Sequence, residues 1–363
     1  MHWQSEYRVK ILASLRTQPG KLSHWPARPL VDKEPPAKRG ARGTQANTGR
    51  PDQQSCIAPP QASVYHNPWW LDAATDGKWQ LITTGPTSGF IASMPMFTRS
   101  FLGQRYIGMP PLTRTLGPTF ARVSAGAKLS DRVRFRLLSE LINNLLDVIG
   151  FRQRFDPECD DLLAFQVSGF SIGVDYTYRF GNCSDTGAIW EGMRDKTRNA
   201  IRRSQDHLQV SRSLDVAEFI EFYETNLQRS GISMAPERER FQKILKATVA
   251  NEAGISLLCG TVGGEVAAAI FVVWDDQYCH YLLSTRNERV TCNGAVSLLL
   301  WDALQLAGQM NRGFDFDGFG THGAANFVRQ FGARLVPRWT VLRAPRLVRA
   351  LLMSRSRFFY PEP

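Results

Sequence analysis

GGEVAAAIFVVW (263–274), YCHYLLSTRN (278–287), NGAVSLLLWDALQLAGQMNRG (293–313), FDFDGFG (314–320) and THGAANFVRQFGARLVPRWTVL (321–342) run as strand, turn, strand, helix, strand and helix. Polar residues gather at the joints. The strand from Tyr278 ends in a polar turn, and a helix opens near Gly294. A strand feeding a helix leaves the first helical N–H groups unpaired, where an anion such as a pyrophosphate is favoured. Any capped helix after a strand has the same free amides, so the turn alone does not define a site. Within the helix, Val296, Leu299, Leu300, Ala303, Leu304 and Ala307 share one face by helical spacing, and that face belongs in a core.

Phe314 to Phe316 alternates as Phe-Asp-Phe, which puts both rings on one side of a short strand and Asp315 on the other. Asp317 follows at the strand end, before Gly318 and Gly320. Carboxylates beside such a turn suit the orientation of an acceptor amine or the uptake of its proton. A capping role for Asp317 and simple solvation of Asp315 fit the same pattern. Phe331-Gly332-Ala333 reads as a helix stop with a left-handed glycine.

Outward from this stretch, Trp79 to Thr84 and Phe90 to Phe97 read as strands, and Asp131 to Ile149 as a helix with an apolar stripe. Phe165 to Val174 is strand-like. The Gly-rich run from Gly169 to Gly187 reads as a link into the second half. Asp215 to Arg229 and Phe241 to Ala250 read as helices ahead of a strand from Ile255 to Thr261.

Three separate segments together resemble the FemAB-like branch of the GNAT acyltransferase superfamily. One is the run GG-VAAAIFVVW, the NGA-initiated helix, FDFDG and F-RQFGARLVP. The second is Trp190, Met193, Lys196, Thr197, Arg198, Asn199, Ile201 and Arg202, matching a W-x-x-M-x-x-K-x-R-x-x-I-R pattern. The third is His66-Asn67-Pro68-Trp69-Trp70-Leu71 with the later Pro110-Pro111-Leu112-Thr113-Arg114-Thr115-Leu116-Gly117-Pro118. The resemblance implies an α+β fold of tandem GNAT-like units, each a mixed central β-sheet flanked by helices. It divides the chain into a leader (1–62), a first unit (63–180), a second unit bearing the donor site (181–343) and a tail (344–363).

By the same resemblance the chain is an N-acyltransferase that moves an acyl group from acyl-CoA to an amine, such as a cell-wall or surface-polysaccharide precursor. Some members of the branch use aminoacyl-tRNA instead. The GNAT pyrophosphate signature Q/R-x-x-G-x-G/A is altered here: Arg289-Val290-Thr291-Cys292-Asn293-Gly294-Ala295 carries one displaced glycine. Arg289, Asn293, Gly294, Ala295 and Val296 are the residues that would face donor phosphates. Asp315, Asp317 and His322 are the candidates for proton transfer. His280, in the middle of a strand, reads first as a satisfied core histidine. A non-catalytic GNAT-like protein that binds a phosphorylated ligand is the competing reading, and the altered turn supports it.

The 363 residues suffice for two domains, and a 43% hydrophobic fraction can build their cores. The formal charge is +11, of which residues 1–62 supply +6 from ten Lys/Arg against four Asp/Glu, in a composition too polar to fold alone. Lys196, Arg198 and Arg202 lie on one predicted helix, with Arg198 and Arg202 four apart on a shared face. A phosphate-bearing acceptor, CoA phosphates or tRNA suits that face, and so does plain solvation.

The six cysteines are scattered without C-x-x-C or zinc-ligand spacing, so no metal is expected. Cys292 beside the donor turn has no histidine placed by sequence to activate it. No run approaches the ~18 apolar residues of a membrane span, and the expected location is cytoplasmic. The tail pairs arginines with Leu347, Val348, Leu351, Leu352, Met353, Phe358 and Phe359 over 345–360, a pattern that suits its own domain or peripheral contact with an anionic membrane.

Overall fold

The computed structural model describes residues 63–345 apart from 102, 146–147, 236, 291, 293 and 318–320. The leader (1–62), Asn293, the glycines at 318 and 320, and the tail segment 346–363 lie outside the described residues.

After a short 3₁₀ turn at Val64–His66, the first half runs α1 (Pro68–Thr75), β1 (Trp79–Thr83), β2 (Phe90–Phe101), β3 (Gln104–Gly108) and β4 (Thr119–Arg122). It continues with α2 (Asp131–Asn143), β5 (Gly150–Arg154), α3 (Leu163–Val167) and β6 (Ser171–Phe180). The second half runs α4 (Thr186–Gly192), α5 (Asp195–Gln205), β7 (Leu208–Ser213), α6 (Val216–Arg229), α7 (Arg238–Ala250) and β8 (Gly254–Thr261). Then come β9 (Val266–Trp274), β10 (Tyr278–Arg286), α8 (Ala295–Gln309), β11 (Gly313–Asp315), α9 (His322–Arg329) and β12 (Arg334–Arg343).

Among the described residues one twelve-stranded mixed sheet has the order β1-β2-β3-β5-β12-β6-β11-β10-β9-β8-β7, with β4 on β2. The expected α+β class, a mixed sheet flanked by helices, is the class observed. β12, the last strand, inserts between β5 and β6 and pairs antiparallel with both. β12 is thereby stitched into strands of the first half.

Burial explains the order. All of Val266 to Val273 is buried, because β9 is covered on both faces, and such a strand reads as a continuous apolar run. One face packs on α1, α6 and α7 through Trp70, Phe219, Tyr223 and Phe271. The other packs on α4, α5, α8 and α9 through Ile189, Ile201, Leu299 and Val328. A separate core under α2 and α3 holds Phe151, Phe155 and Phe165. Each fully buried Leu or Phe contributes roughly 1.5–3 kcal/mol of transfer free energy. α6 begins where Asp215 accepts from the N–H groups of Ala217 (2.8 Å) and Glu218 (3.2 Å).

Three local expectations change. Residues 163–167 form α3, and the strand starts only at Ser171, because Gly169 at φ +84° turns the chain between them. The stretch read as a link, 169–187, contains β6, a central strand bonded to β11 and β12. The helix from Asp131 stops at Asn143, where two consecutive asparagines favour termination. On α8 the buried set also includes Ser297, Leu298 and Trp301, since α4 and α5 cover the side turned away from the sheet.

Candidate functional site

β11 is three residues long. It pairs in parallel with β10 at Tyr278–Gly313, Cys279–Phe314 and His280–Asp315, and antiparallel with β6 at Phe314–Phe180 and Asp315–Arg179. A Cβ on Gly313 would lie 2.5 Å from the Tyr278 ring and 2.6 Å from the Phe180 carbonyl, so only glycine lets the strand seat this deeply. Pairing stops at His280–Asp315 while β10 continues to Arg286 along β9. β11 ends at that pair, and the ladder between β10 and β9 is interrupted just beyond, between Tyr281 and Leu283.

This register sets His280, Asp315 and Arg179 side by side on one face. Asp315 Oδ2 lies 2.5 Å from Arg179 Nε, and its Oδ1 accepts from Thr177 Oγ1 at 2.5 Å and from the Asp317 N–H at 2.7 Å. Asp317, at φ +62°, turns its carboxylate between Arg114 Nε (2.5 Å) and Arg338 Nη1 (3.1 Å). Both aspartates are 2% exposed, so the reading of Asp315 as simply solvated does not hold; a central strand has no solvent face. His280, also buried, places Nε2 3.1 Å from Asp275 Oδ2, an oxygen that accepts the Val64 N–H at 3.0 Å.

The segments around Tyr65 and Arg114, far apart in sequence, pack together over this face. Trp70 Nε1 donates to Thr113 Oγ1 at 2.9 Å, and His66 Nε2 lies 3.3 Å from the Gly117 carbonyl. Arg114 Nη2 donates to the Leu282 carbonyl at 2.8 Å, at the interruption in the β10 ladder. Gly117, at φ +118°, has the Phe155 ring 2.8 Å from where a Cβ would sit. The Tyr65 ring stands edge-on to His280 at 5.3 Å and to Trp70 at 5.0 Å.

The neighbouring carboxyls are driven apart in acidity. Burial works to raise Asp315, but the charges of Arg179, His280 and Arg338 prevail and hold it at about 2. Burial lifts Asp317 above the ordinary carboxylate value against the pull of Arg114 and Arg338, with Asp315 adding repulsion. Burial opposes the charge of His280, but its hydrogen bond and ion pair with Asp275 raise it above the usual histidine value. Asp275 is held at about 2, burial notwithstanding, by His280 and by the N–H groups of Tyr278 and Gln277.

Of the residues singled out in the sequence, Asp315 and Asp317 stand together. His322 does not join them: it is exposed on α9, its Nδ1 3.0 Å from Asn326 Nδ2, and Thr321 caps the helix. Arg289 is exposed beyond β10. Gly294 and Ala295 are buried and Val296 half-buried at the start of α8, under α5. A Cβ on Gly294 would meet Ser204 Oγ at 2.3 Å and the Ala200 carbonyl at 2.4 Å. Cys292 Sγ lies 3.4 Å from Ser204 Oγ.

Lys196 and Arg202 are exposed on α5; Arg202 lies 5.3 Å over the Trp190 ring, and Arg198 donates to the Glu191 carbonyl at 2.9 Å. α5 and α8 pack on one face of the sheet, and the carboxylate cluster lies on the other, beside Tyr65. Sequence reading missed Arg179, Arg338, Arg114, Thr177 and Asp275, although Arg114 and Arg338 stand in or beside the family-like segments. Among the described residues no group of three or more His, Cys, Asp and Glu has metal-binding geometry. No described helix is long and apolar enough to cross a membrane.

Residues 192–331, from the end of α4 to just past α9, match the family described as Acetyltransferase (GNAT) domain. The crystal structure of FemX is similar in fold, at 10% identity over 75% of this chain and 90% of that chain, with a TM-score of 0.55. A conserved protein of unknown function from Bacteroides thetaiotaomicron (12% identity, 75% and 90% covered, TM-score 0.47) and L-PGS from Bacillus licheniformis (11%, 79% and 90%, 0.46) are more distant. No curated protein matches the chain. Residues 192–331 are thus similar to a GNAT acetyltransferase domain, and the fold as a whole is similar to that of FemX.

Proposed function

We propose that the protein transfers an acyl group from acyl-CoA to an amine acceptor, with a cell-wall or surface-polysaccharide precursor as the acceptor class. The observation that carries this is the pair of buried carboxyls two residues apart whose acidities are pushed in opposite directions. Such a split assigns roles. Asp315, held at about 2, is a fixed anion that orients Thr177 and Arg179. Asp317, with the higher proton affinity, takes the proton of the attacking amine. The amine lone pair attacks the thioester carbonyl carbon, and the carbonyl π pair moves to oxygen. Collapse expels the CoA thiolate, which recovers the proton from Asp317.

The end of β11 at Asp315, beside the interrupted β10 ladder, supports this reading, because a donor anchored on the α5–α8 face would reach Asp317 there. The donor's phosphates would meet Arg289, the 293–296 turn and the basic side of α5. In this reading 63–180 and 181–343 act as two units sharing one reaction centre, the enzyme is cytoplasmic, and the basic tail holds it at the inner membrane face.

A second reading, an aminoacyl-tRNA donor, draws support from the packing of Gly294 against Ala200 and Ser204, which covers the turn where a CoA pyrophosphate would dock and leaves exposed cations on α5. Calorimetric titration of the full-length protein with acetyl-CoA and longer acyl-CoAs, beside turnover of Asp317→Asn with a primary-amine panel, separates the two. Micromolar binding with a rate loss of about a hundred- to ten-thousand-fold supports the first. Absence of binding to every acyl-CoA sinks it.

A further inference from the structure

Tyr65 is fully buried, and among the described residues its hydroxyl has no hydrogen-bond partner. Buried polar groups are almost always paired, and an orphaned one calls for an explanation. Its ring is fixed by Trp70 and by His280, the strand partner of Asp315. The preceding residue, Val64, is pinned to Asp275, and Ser63 Oγ lies 3.4 Å from Thr115 Oγ1, next to Arg114. The charges of Asp317, Arg114, Asp315 and Arg338 all act on this phenol, and burial raises its pKa well above the ordinary tyrosine value. It is therefore a neutral O–H, able to donate a hydrogen bond and unsuited to act as a base.

We propose that the Tyr65 hydroxyl is the donor that receives the acyl carbonyl oxygen at the end of β11, beside His280 and Asp317, so that the first half of the chain completes the reaction centre of the second. The inference rests on the acyl-transfer reading above and adds to it a side-chain donor for the oxygen. When the amine nitrogen bonds to the carbonyl carbon, the π pair localises on that oxygen, and the Tyr65 O–H stabilises the charge without giving up its proton. Preorganised donors of this kind act where charge develops, in a site that excludes water. On collapse the pair returns to the C=O bond as the carbon–sulfur bond breaks. Tyr65 is unchanged.

The test uses full-length protein and Tyr65→Phe, which removes one oxygen and keeps the ring contacts. Thiol release from acetyl-CoA with a primary-amine panel gives kcat and KM. In parallel, 3-fluorotyrosine placed at position 65 is followed by ¹⁹F NMR while S-acetyl-N-acetylcysteamine, a thioester without phosphates, is titrated in. The expected result is a kcat lower by about a hundredfold or more with KM nearly unchanged, an undiminished melting temperature and a saturable ¹⁹F shift. A saturable shift without turnover on any acyl-CoA supports the carbonyl site and counts against the acyl-CoA reading. A kcat within twofold of wild type, an unmoved resonance, or a rate loss that only tracks a lower melting temperature overturns the assignment of Tyr65.

Discussion

Arg114 Nε lies 2.5 Å from Asp317 Oδ2, and this contact ties a loop of the first half to the end of β11 in the second. Both groups are almost wholly buried, and Asp317 is shared with Arg338. Removing one member of a buried ionic group leaves an uncompensated charge, which costs about 3–5 kcal/mol, whereas the intact group adds little over an apolar packing. Arg114→Met also strips the Leu282 carbonyl of its donor. The expected outcome is a loss of about 3–5 kcal/mol in urea unfolding with an unchanged m-value. A loss below about 1 kcal/mol means that the contact does not join the halves.

Stability should be lost on both sides of a mildly acidic optimum. Asp275 and Asp315 are held at about 2 against an ordinary 3.8, so their stabilisation is present above pH 3.8 and lost as pH falls toward 2. Each contributes on the order of 2 kcal/mol. His280 is raised above its ordinary 6.5, so its contribution is complete below pH 6.5 and disappears as pH rises through the folded value. Thermal melts from about pH 3 to about pH 9 check this. His280→Gln should remove the part of the alkaline decline that begins above pH 6.5 through His280, leave the part due to Asp317, and keep the acid decline due to Asp315.

Much of the second half was legible because its elements follow simple periods. The apolar run of β9, the helix after Gly294 and the left-handed Gly332 all lie where spacing and turn chemistry put them. The failures share a cause. The local composition of 169–187 indicates a link, yet β6 is stabilised by β11 and β12, strands contributed by distant sequence. Asp315 and Asp317 were visible as carboxylates at a strand end. Their partners were not, because Arg179, Arg338 and Arg114 reach them only through sheet order and loop packing. Nor does a sequence period reveal that Tyr65 would be buried beside them.

Gly294 is expected to matter for packing. Its φ of −105° suits any residue, but a Cβ would stand 2.4 Å from the Ala200 carbonyl and 2.3 Å from Ser204 Oγ. Gly294→Ala should push α5 off the first turn of α8 and cost about 1–3 kcal/mol. Adding Ser204→Gly should restore only part of that, since the Ala200 contact is backbone. Full rescue by Ser204→Gly would show that the side chain alone constrains the turn.

The basic face of α5 separates into structural and available charge. Arg198 donates to the Glu191 and Trp190 carbonyls and pairs with Asp195, so Arg198→Ala should loosen the junction of α4 and α5 by about 1 kcal/mol. Lys196 and Arg202 are exposed, and their joint replacement by glutamate should alter stability by no more than about 0.5 kcal/mol each. Their effect should appear in binding. Titrations of the full-length protein with CoA and with bulk tRNA across a salt series distinguish the donors. For tRNA, the double variant should bind more weakly at every salt concentration, with a log–log slope shallower by about two. For CoA, a weakening of tenfold or more, with tRNA binding weak in both proteins, assigns the face to the nucleotide phosphates. Unchanged binding of both ligands makes α5 a solvated basic helix and removes Lys196 and Arg202 from the donor site.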